Sequence, residues 1–533
     1  MPGGEGWVMV RRFNTAGPCL PANHYMIPAL SRLPEAPRLV DLESYFVVHA
    51  PRQTGKTTAL RALARDLTAQ GRYAAVMFSC EAARVAGDDY GAASRILLDR
   101  IRASAQDCLP AELGPPPWPE TPDGTGIVEA LRAWAQSCPR PLVLFFDEID
   151  ALRGQSLLSV LGQLRDGYNS RPAPFPWSVA LCGLRDVREY KTASGGDSSR
   201  LGTASPFNVK VESLRLGDFT AGEVAELYGQ HTAGTGQRFS IDALEYAYEL
   251  TVGQPWLVNA LAREIVEKIR VPVAEPVTVA HLDQAKEQLI LTRATHLDSL
   301  AARLAEPRVR SVIGPLLAGD PLVLDPYDDD LSYVRDLGLI APTAPVRAAN
   351  PIYREVIARV LSSSIQESVT ADPRSFVRPD GTFDLSRMLD EFADWWIENG
   401  EFLTSTGYYS EAAPQLILMG YLQRVVNGGG QIEREYAVGS GRVDLHLRWP
   451  YRTPDGEQHV QREAIEIKTW RTGRSNPLPA GLRQLDRYLD RLRLDTGTLV
   501  LFDQRADASA IDTRTRLTTT TSPAGRTITL LNG

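Results

Sequence analysis

From residue 45 the chain reads Tyr-Phe-Val-Val-His, an unbroken apolar run rich in β-formers, and from Thr57 its apolar residues fall at helical spacing: Leu60, Leu63, Ala64 and Leu67. The pattern predicts a buried strand, a glycine-bearing turn and a helix. A second run, Leu142-Val143-Leu144-Phe145-Phe146, is bounded by Pro141 and by Asp147-Glu148-Ile149-Asp150, and predicts a parallel strand ending in carboxylates. A third, Trp177-Ser178-Val179-Ala180-Leu181-Cys182-Gly183, delivers Leu184-Arg185-Asp186 at the same edge of the sheet.

Beyond residue 216 the period changes. Turn signals alternate with helical spacing to about residue 269, predicting a helical lid, and a second helical unit runs from about 277 to 361. Residues 362–382 hold few apolar side chains, and Ser362-Ser363-Ser364 and Asp372-Pro373-Arg374 predict a tether. Residues 411–422 then predict a helix with an acid near its start, and residues 435–447 two short strands around a glycine turn. A strand at Ala464-Ile465-Glu466-Ile467-Lys468, a helix at about 480–494 and a strand at 497–503 complete an αβββαβ order.

Composition narrows the class. At 533 residues the chain is too long for one core and divides into roughly three or four domains. No stretch of about 18 apolar residues is present to span a bilayer, and the start lacks the basic and apolar segments of a secretion signal. The 5 cysteines form no C-x-x-C pair, so a disulfide framework is not expected and a reducing cytoplasm is. A net charge of −8 gives no global attraction to nucleic acid, so any such contact must come from local basic patches.

The first turn carries chemistry. Ala50-Pro51-Arg52-Gln53-Thr54-Gly55-Lys56-Thr57-Thr58 reads as a phosphate loop between strand and helix, with Ala50 where the first glycine usually stands. Backbone N–H groups and the helix start cradle phosphate oxygens, Lys56 supplies a charge, and Thr57 reaches magnesium. Asp147 is expected in the magnesium shell and Glu148 to polarise the attacking water. Arg185 is either a sensor of the terminal phosphate or a plain surface arginine.

Residues from about Phe13 to Leu361 resemble a bacterial ATP-binding family related to the signal-transducing ATPases with numerous domains and to archaeal-type ATPases. The segments that carry the resemblance are Arg12–Pro18, His24-Tyr25-Met26-Ile27-Pro28, the phosphate loop, and Gly253-Gln254-Pro255-Trp256-Leu257-Val258-Asn259-Ala260-Leu261. The resemblance implies ATP and Mg²⁺ as cofactors, Pro255 against the nucleotide from the lid, and Tyr25 and Ile27 near the base. Taken alone, Gly253-Gln254-Pro255 is a turn opening a helix. Residues 346–357 resemble the close of a winged-helix domain. Its presumed reading helix opens with Asp328-Asp329-Asp330, which favours the helix dipole and repels phosphates, so internal packing is preferred over DNA reading.

A second constellation lies downstream. Glu466 and Lys468 are two apart on a strand and so share a face, while Gln484 and Tyr488 are four apart on a helix. Together with Gly441-Arg442-Val443-Asp444 and Glu411, in this order, residues from about 384 to 532 resemble the PD-(D/E)XK phosphodiesterase superfamily, although Val443 stands where its proline would be. The resemblance implies Asp444 and Glu466 as Mg²⁺ ligands, Lys468 stabilising developing charge, Glu411 completing the shell, and Gln484 positioning water or backbone. The alternative makes Glu466 and Lys468 an ordinary same-face ion pair. Arg471, Arg474, Arg483, Arg487, Arg491 and Arg493 offer a DNA-facing stripe, or with Asp486 and Asp490 a solvated salt-bridged face.

The expected architecture is an α/β multidomain chain. A nucleotide-base segment (1–38) precedes a P-loop ATPase core with a parallel sheet (39–215), a helical lid (216–276) and a winged-helix-like domain (277–361). A linker (362–382) then leads to a restriction-endonuclease-like domain (383–533). The expected function is Mg²⁺-dependent hydrolysis of nucleic acid, DNA in the first place, governed by nucleotide state, in defence against phage or mobile elements. The rival is an ATPase switch whose last domain only binds nucleic acid or protein; self-association stays open.

Overall fold

The computed structural model describes residues 11–184, 209–292, 294–317, 325, 328–368, 373–406, 413–426, 429–438, 441–453 and 455–533. They form two compact units. One comprises Met1–Asp298, Pro326–Pro342 and Ala348–Ile352, and the other Ser299–Asp325, Thr343–Arg347 and Tyr353–Gly533.

The first unit is built on five parallel strands, β1 (Tyr45–His49), β2 (Ala74–Ser79), β3 (Leu142–Asp147), β4 (Ser178–Gly183) and β5 (Lys210–Arg215), in the order β2-β3-β4-β1-β5. The apolar runs are continuous because both faces are covered. Alternation does the sorting: Tyr45 and Val47 enter one core with Val76, Leu144, Phe146 and Trp134, while Phe46 and Val48 enter the other with Leu60, Leu63 and Phe145. Helix α1 (Lys56–Ala69) leaves β1 through the loop and buries Leu60, Leu63 and Leu67.

Three helices follow the sheet, α2 (Ala221–Thr235), α3 (Ile241–Thr251) and α4 (Pro255–Arg263). Thr220 and Glu223 close a capping box on α2, and Ser240 caps α3. Pro255 stands at the first turn of α4, where its missing N–H costs nothing. The turn before it is fixed by Gly253. Its φ is +76°, its carbonyl accepts from Phe219 N at 2.8 Å, and a Cβ there would lie 1.8 Å from Phe219 O. Gly253→Ala is therefore expected to destabilise this unit by roughly 1–3 kcal/mol or more, read as a lowered urea midpoint.

In the second unit, β6 (Gln431–Val438), β7 (Gly441–Arg452), β8 (Gln458–Arg471), β9 (Thr496–Gln504), β10 (Arg516–Thr521) and β11 (Thr527–Asn532) form a mixed sheet in the order β10-β11-β9-β8-β7-β6. Strands β6, β7 and β8 are antiparallel neighbours, while β8, β9 and β11 run parallel. Helices α6 (Leu385–Thr406) and α7 (Ala413–Val426) cover one face, burying Phe392, Trp396, Ile417 and Leu418 over Leu445, Ile465, Ile467 and Phe502. Helix α8 (Leu478–Leu492) covers the other, with Leu485, Tyr488 and Leu489 over Ala464, Leu499 and Leu501.

The helix, three strands, helix and strand read from periodicity occur in that order. An additional helix precedes them, and the β10–β11 hairpin extends the sheet beyond β9. The stretch 362–382 is not uniformly irregular. A helix continues from Pro351 to Ser368, and Phe376 and Phe383 are buried in the second unit's core, anchored by apolar residues that a polar average conceals. All five cysteines are free thiols. Among the described residues, no helix is long and apolar enough to cross a membrane.

Candidate functional site

The loop after β1 turns on Gln53 (φ +59°) and Gly55 (φ +92°), which aims the start of α1 back at the loop. Lys56 Nζ donates to the carbonyls of Ala50 (2.7 Å) and Pro51 (2.8 Å), curling the loop around its ammonium. Burial lowers the Lys56 pKa, and Asp147 and Asp150 pull partly against it. Thr57 Oγ1 donates to Asp147 Oδ2 at 2.6 Å, so hydroxyl and carboxylate meet 90 residues apart in sequence. Asp147, 2% exposed at the end of β3, also accepts from Glu148 N at 3.0 Å. Glu148 adopts a left-handed backbone (φ +56°) and accepts from Ser79 Oγ at 2.5 Å. The neighbouring thiols of Cys80 and Cys182 are held well above their usual pKa by burial and by Asp147, and so stay neutral beside the acid.

Arg32 was not singled out from sequence, where it is one unremarked arginine. Its guanidinium donates to Thr54 O at 2.7 Å and to Gly217 O, and lies 4.7 Å over the Phe219 ring. A Cβ at Gly55 would lie 3.0 Å from Arg32 Nη1, so glycine is required on both conformational and steric grounds.

A cleft opens beside the loop, and Tyr25, Ile27 and Pro255 line it together with Gln53, Gly55 and Thr58. The N-terminal segment is pinned there by the lid. Gln230 bonds both the N–H and the carbonyl of Met26 (3.2 and 3.0 Å), Tyr25 Oη lies 3.3 Å from His231, and Trp256 Nε1 donates to Thr15 O at 3.0 Å. No local signal marked the contacts of Gln230 and His231 with the N-terminal segment, because Met26 and Tyr25 lie some 200 residues away.

The helix α5 (Asp329–Asp336) is capped by Asp328, which accepts from Asp330 N and Leu331 N, and it buries Leu331, Tyr333, Val334 and Asp336. Asp336 Oδ1 lies 3.9 Å from His49 Nδ1, and a Cβ at Gly338 would come within 2.7 Å of Pro51. The helix weighed for DNA reading is thus packed against the root of the phosphate loop.

His296 stacks on Trp256, with centroids 4.9 Å apart, and burial followed by the Arg52 charge pushes its pKa down to about 4. The unfolded chain takes up this proton near pH 6.5 while the folded chain refuses it. Stability is therefore fully present above pH 6.5 and is lost toward pH 4, by up to about 3 kcal/mol. His296→Phe is expected to shrink the difference between melting midpoints at pH 7.5 and pH 5. An unchanged difference would refute the assignment.

The second constellation sits on the α8 face of the other sheet. Leu445 pairs with Ile465, which brings Asp444 and Glu466 to neighbouring strands. Asp444 Oδ2 accepts from Ile467 N at 2.7 Å, and Lys468 Nζ donates to Glu466 Oε1 at 2.5 Å. Glu466 is 0% exposed, and its Oε2 has no hydrogen-bond partner. Burial, and then the Asp444 carboxylate, push Glu466 up to about 8, while Lys468 pulls it back. Burial opposes the Lys468 charge, but Glu466 and Asp444 outweigh it and raise its pKa. Two carboxylates thus share one ammonium in a low-dielectric wall, an arrangement that favours a further cation.

Helix α8 closes on this group. A Cβ at Gly481 would lie 3.2 Å from Lys468 Cγ, and Gln484 Nε2 donates to Tyr488 Oη at 2.9 Å. Gln484 is tied to Tyr488, which acts electrostatically on Lys468. Glu411 and Arg185 lie outside the described residues. Among the described residues, no group of three or more His, Cys, Asp or Glu is arranged to hold a metal ion.

The two acids interleaved with the arginine stripe are engaged by the hairpin that follows. Asp486 turns inward, accepting from Ser522 Oγ (2.5 Å) and Ala524 N (2.9 Å), and Asp490 pairs with Arg526. Arg483, Arg487 and Arg491 stay exposed. The β10–β11 hairpin is one that periodicity did not foresee.

The first unit is therefore a P-loop-type α/β core: a parallel sheet with a lysine–threonine loop after its first strand and an acid pair after its third. No protein-family model and no curated protein matches this chain. Solved structures with a similar fold include the Walker-type ATPase PABY2304 of Pyrococcus abyssi. It is 12% identical, with a TM-score of 0.46, covering 65% of this chain and 99% of that one. Others are the Orc1 protein of Aeropyrum pernix in complex with DNA (14%, TM-score 0.34, 64% and 93%) and the RuvB Holliday junction branch migration motor of Thermotoga maritima (14%, 0.34, 61% and 92%).

Proposed function

We propose that this protein binds and hydrolyses ATP at the phosphate loop and hydrolyses phosphodiester bonds, those of DNA in the first place, at the Asp444–Glu466–Lys468 group, with nucleotide state governing the second activity. The observation that carries the nuclease half is the meeting of two carboxylates and an ammonium from β7 and β8, with the spare oxygen of a fully buried Glu466 among them. The orphaned oxygen fits a hard divalent cation, for which Asp444 and Glu466 are the protein ligands. The Thr57–Asp147 pair fits Mg²⁺ in the same way.

A divalent ion, when bound, supplies Lewis acidity and a more acidic water. The chain's own residues do the rest. Lys468 holds Glu466 in place and stabilises negative charge developing on the phosphate. Asp444 is fixed in place by Ile467 N. In the first unit, backbone amides of residues 53–57 and Lys56 hold phosphate oxygens, Glu148 orients water, and Arg185 senses the terminal phosphate. Tyr25, Ile27 and Pro255 hold the base side of the nucleotide. In the second, Glu411 completes the ligand set, Gln484 positions water or backbone, and the exposed arginines of α8 steer phosphates without regard to base sequence.

One observation favours a second reading. The described residues bring only two carboxylates together, which also suits a domain that binds nucleic acid without cutting it. Incubation with linear, circular and single-stranded DNA, in magnesium, with and without ATP, separates the two. Cleavage that needs magnesium and responds to ATP supports the nuclease, and binding without cleavage supports the alternative. A role in defence against phage or mobile elements adds one expectation, that Lys56 and Asp444 variants lose protection in infection assays.

A further inference from the structure

A cavity lies between α6 and the tip of β9, and neither site uses it. Its walls include Trp396, Phe502, Asp503, Gln504, Arg505 and Arg514, around a space of about 250 Å³ that opens to solvent. Two buried donors in these walls have no acceptor. Trp396 is 3% exposed with its Nε1 unpartnered, and Nε of Arg514 is likewise buried and unpartnered. An indole N–H and a guanidinium can only donate, so what answers them must bring acceptor oxygens.

The donors are also held in place. Arg514 Nη1 donates to Ser509 O. Arg505 is clamped by Asp503 through two bonds of 2.9 and 2.7 Å and stacks 3.6 Å from the Trp470 ring centroid. A Cβ at Gly400 would come within 2.8 Å of both Trp396 and Ile511, so the helix lies as close to this wall as the chain permits. The one acid in the wall, Asp503, is already answered by Arg505.

We propose that this cavity is an oxyanion site that takes a phosphate group, with Trp396 Nε1 and Arg514 Nε donating to its oxygens. With Arg505 answering Asp503, the Arg514 guanidinium leaves the wall one net positive charge, which suits an anionic oxygen ligand. The cavity sits at the carboxyl end of a parallel strand, where open α/β sheets bind ligands. Leu501 pairs with Lys468, and Asp503 follows it by two residues, about 7 Å along the strand. The inference stands on the cavity's own donors and does not rest on the phosphodiesterase reading.

The test is equilibrium dialysis with radiolabelled inorganic phosphate, using the full chain carrying Lys56→Ala and Asp444→Asn. These two substitutions remove the loop's charge and prevent cutting. One equivalent is expected to bind. Arg514→Gln is expected to weaken binding at least tenfold, and Trp396→Phe severalfold. Trp396 packs in the core, so Arg514→Gln at the rim, checked for folding by circular dichroism, decides if Trp396→Phe does not fold. Unchanged affinity in Arg514→Gln, or no binding by the parent chain at millimolar phosphate, overturns the proposal. A competition arm identifies the source. Displacement by a 5′-phosphorylated oligonucleotide but not its 5′-hydroxyl twin assigns a nucleic-acid end, and displacement by neither assigns a free phosphate.

Discussion

Asp444→Asn is expected to lower magnesium-dependent DNA cleavage by at least about 100-fold while leaving nucleotide binding within twofold of the parent. The substitution is chosen because an asparagine oxygen can still accept from Ile467 N, so the β7–β8 geometry survives and only the ligand charge is lost. Lys468→Ala is expected to be equally inactive but less stable. It removes the ammonium that pulls Glu466 toward ionisation, so the buried carboxyl keeps a proton instead, and losing the bond from Nζ is expected to cost about 1–3 kcal/mol. The two variants together separate chemistry from folding. A plasmid-nicking assay beside a thermal melt measures both. Cleavage by Asp444→Asn at the parent rate would sink the nuclease assignment and leave the nucleotide site untouched.

Lys56→Ala is expected to weaken ATP binding at least tenfold and to abolish measurable phosphate release, because the substitution removes the charge that the loop carbonyls of Ala50 and Pro51 hold in place. Thr57→Ala should retain more binding and lose hydrolysis, since it deletes the hydroxyl that meets Asp147 but keeps the ammonium. Nucleotide titration by calorimetry and a phosphate-release assay report the two effects separately. If DNA cleavage by Lys56→Ala matches the parent at saturating ATP, control of the nuclease by nucleotide fails, although both sites remain.

Much of this was legible in the residues. The apolar runs at Tyr45–His49 and Leu142–Asp147 mark buried parallel strands because a strand covered on both faces needs no alternation. The spacing of Glu466 and Lys468 puts both on one face of β8 for the same geometric reason that any strand alternates. Other features were closed to sequence reading. Arg32, Gln230 and His231 acquire their roles from partners far along the chain, and nothing within a helical turn of each marks it out. The buried turn of Asp486 depends on a hairpin some 36 residues later, so a helical wheel drew it as a surface acid.

The division follows the range of the forces involved. Steric limits on backbone angles and the periods of helix and strand act within a few residues, so the chain alone determined where the loop, the strands and the paired Glu466 and Lys468 lie. Register and packing act between residues that only the closed structure makes neighbours. They alone decided that Thr57 meets Asp147 across 90 residues, that Asp444 caps Ile467 N across 23, and that one oxygen of Glu466 is left buried without a partner.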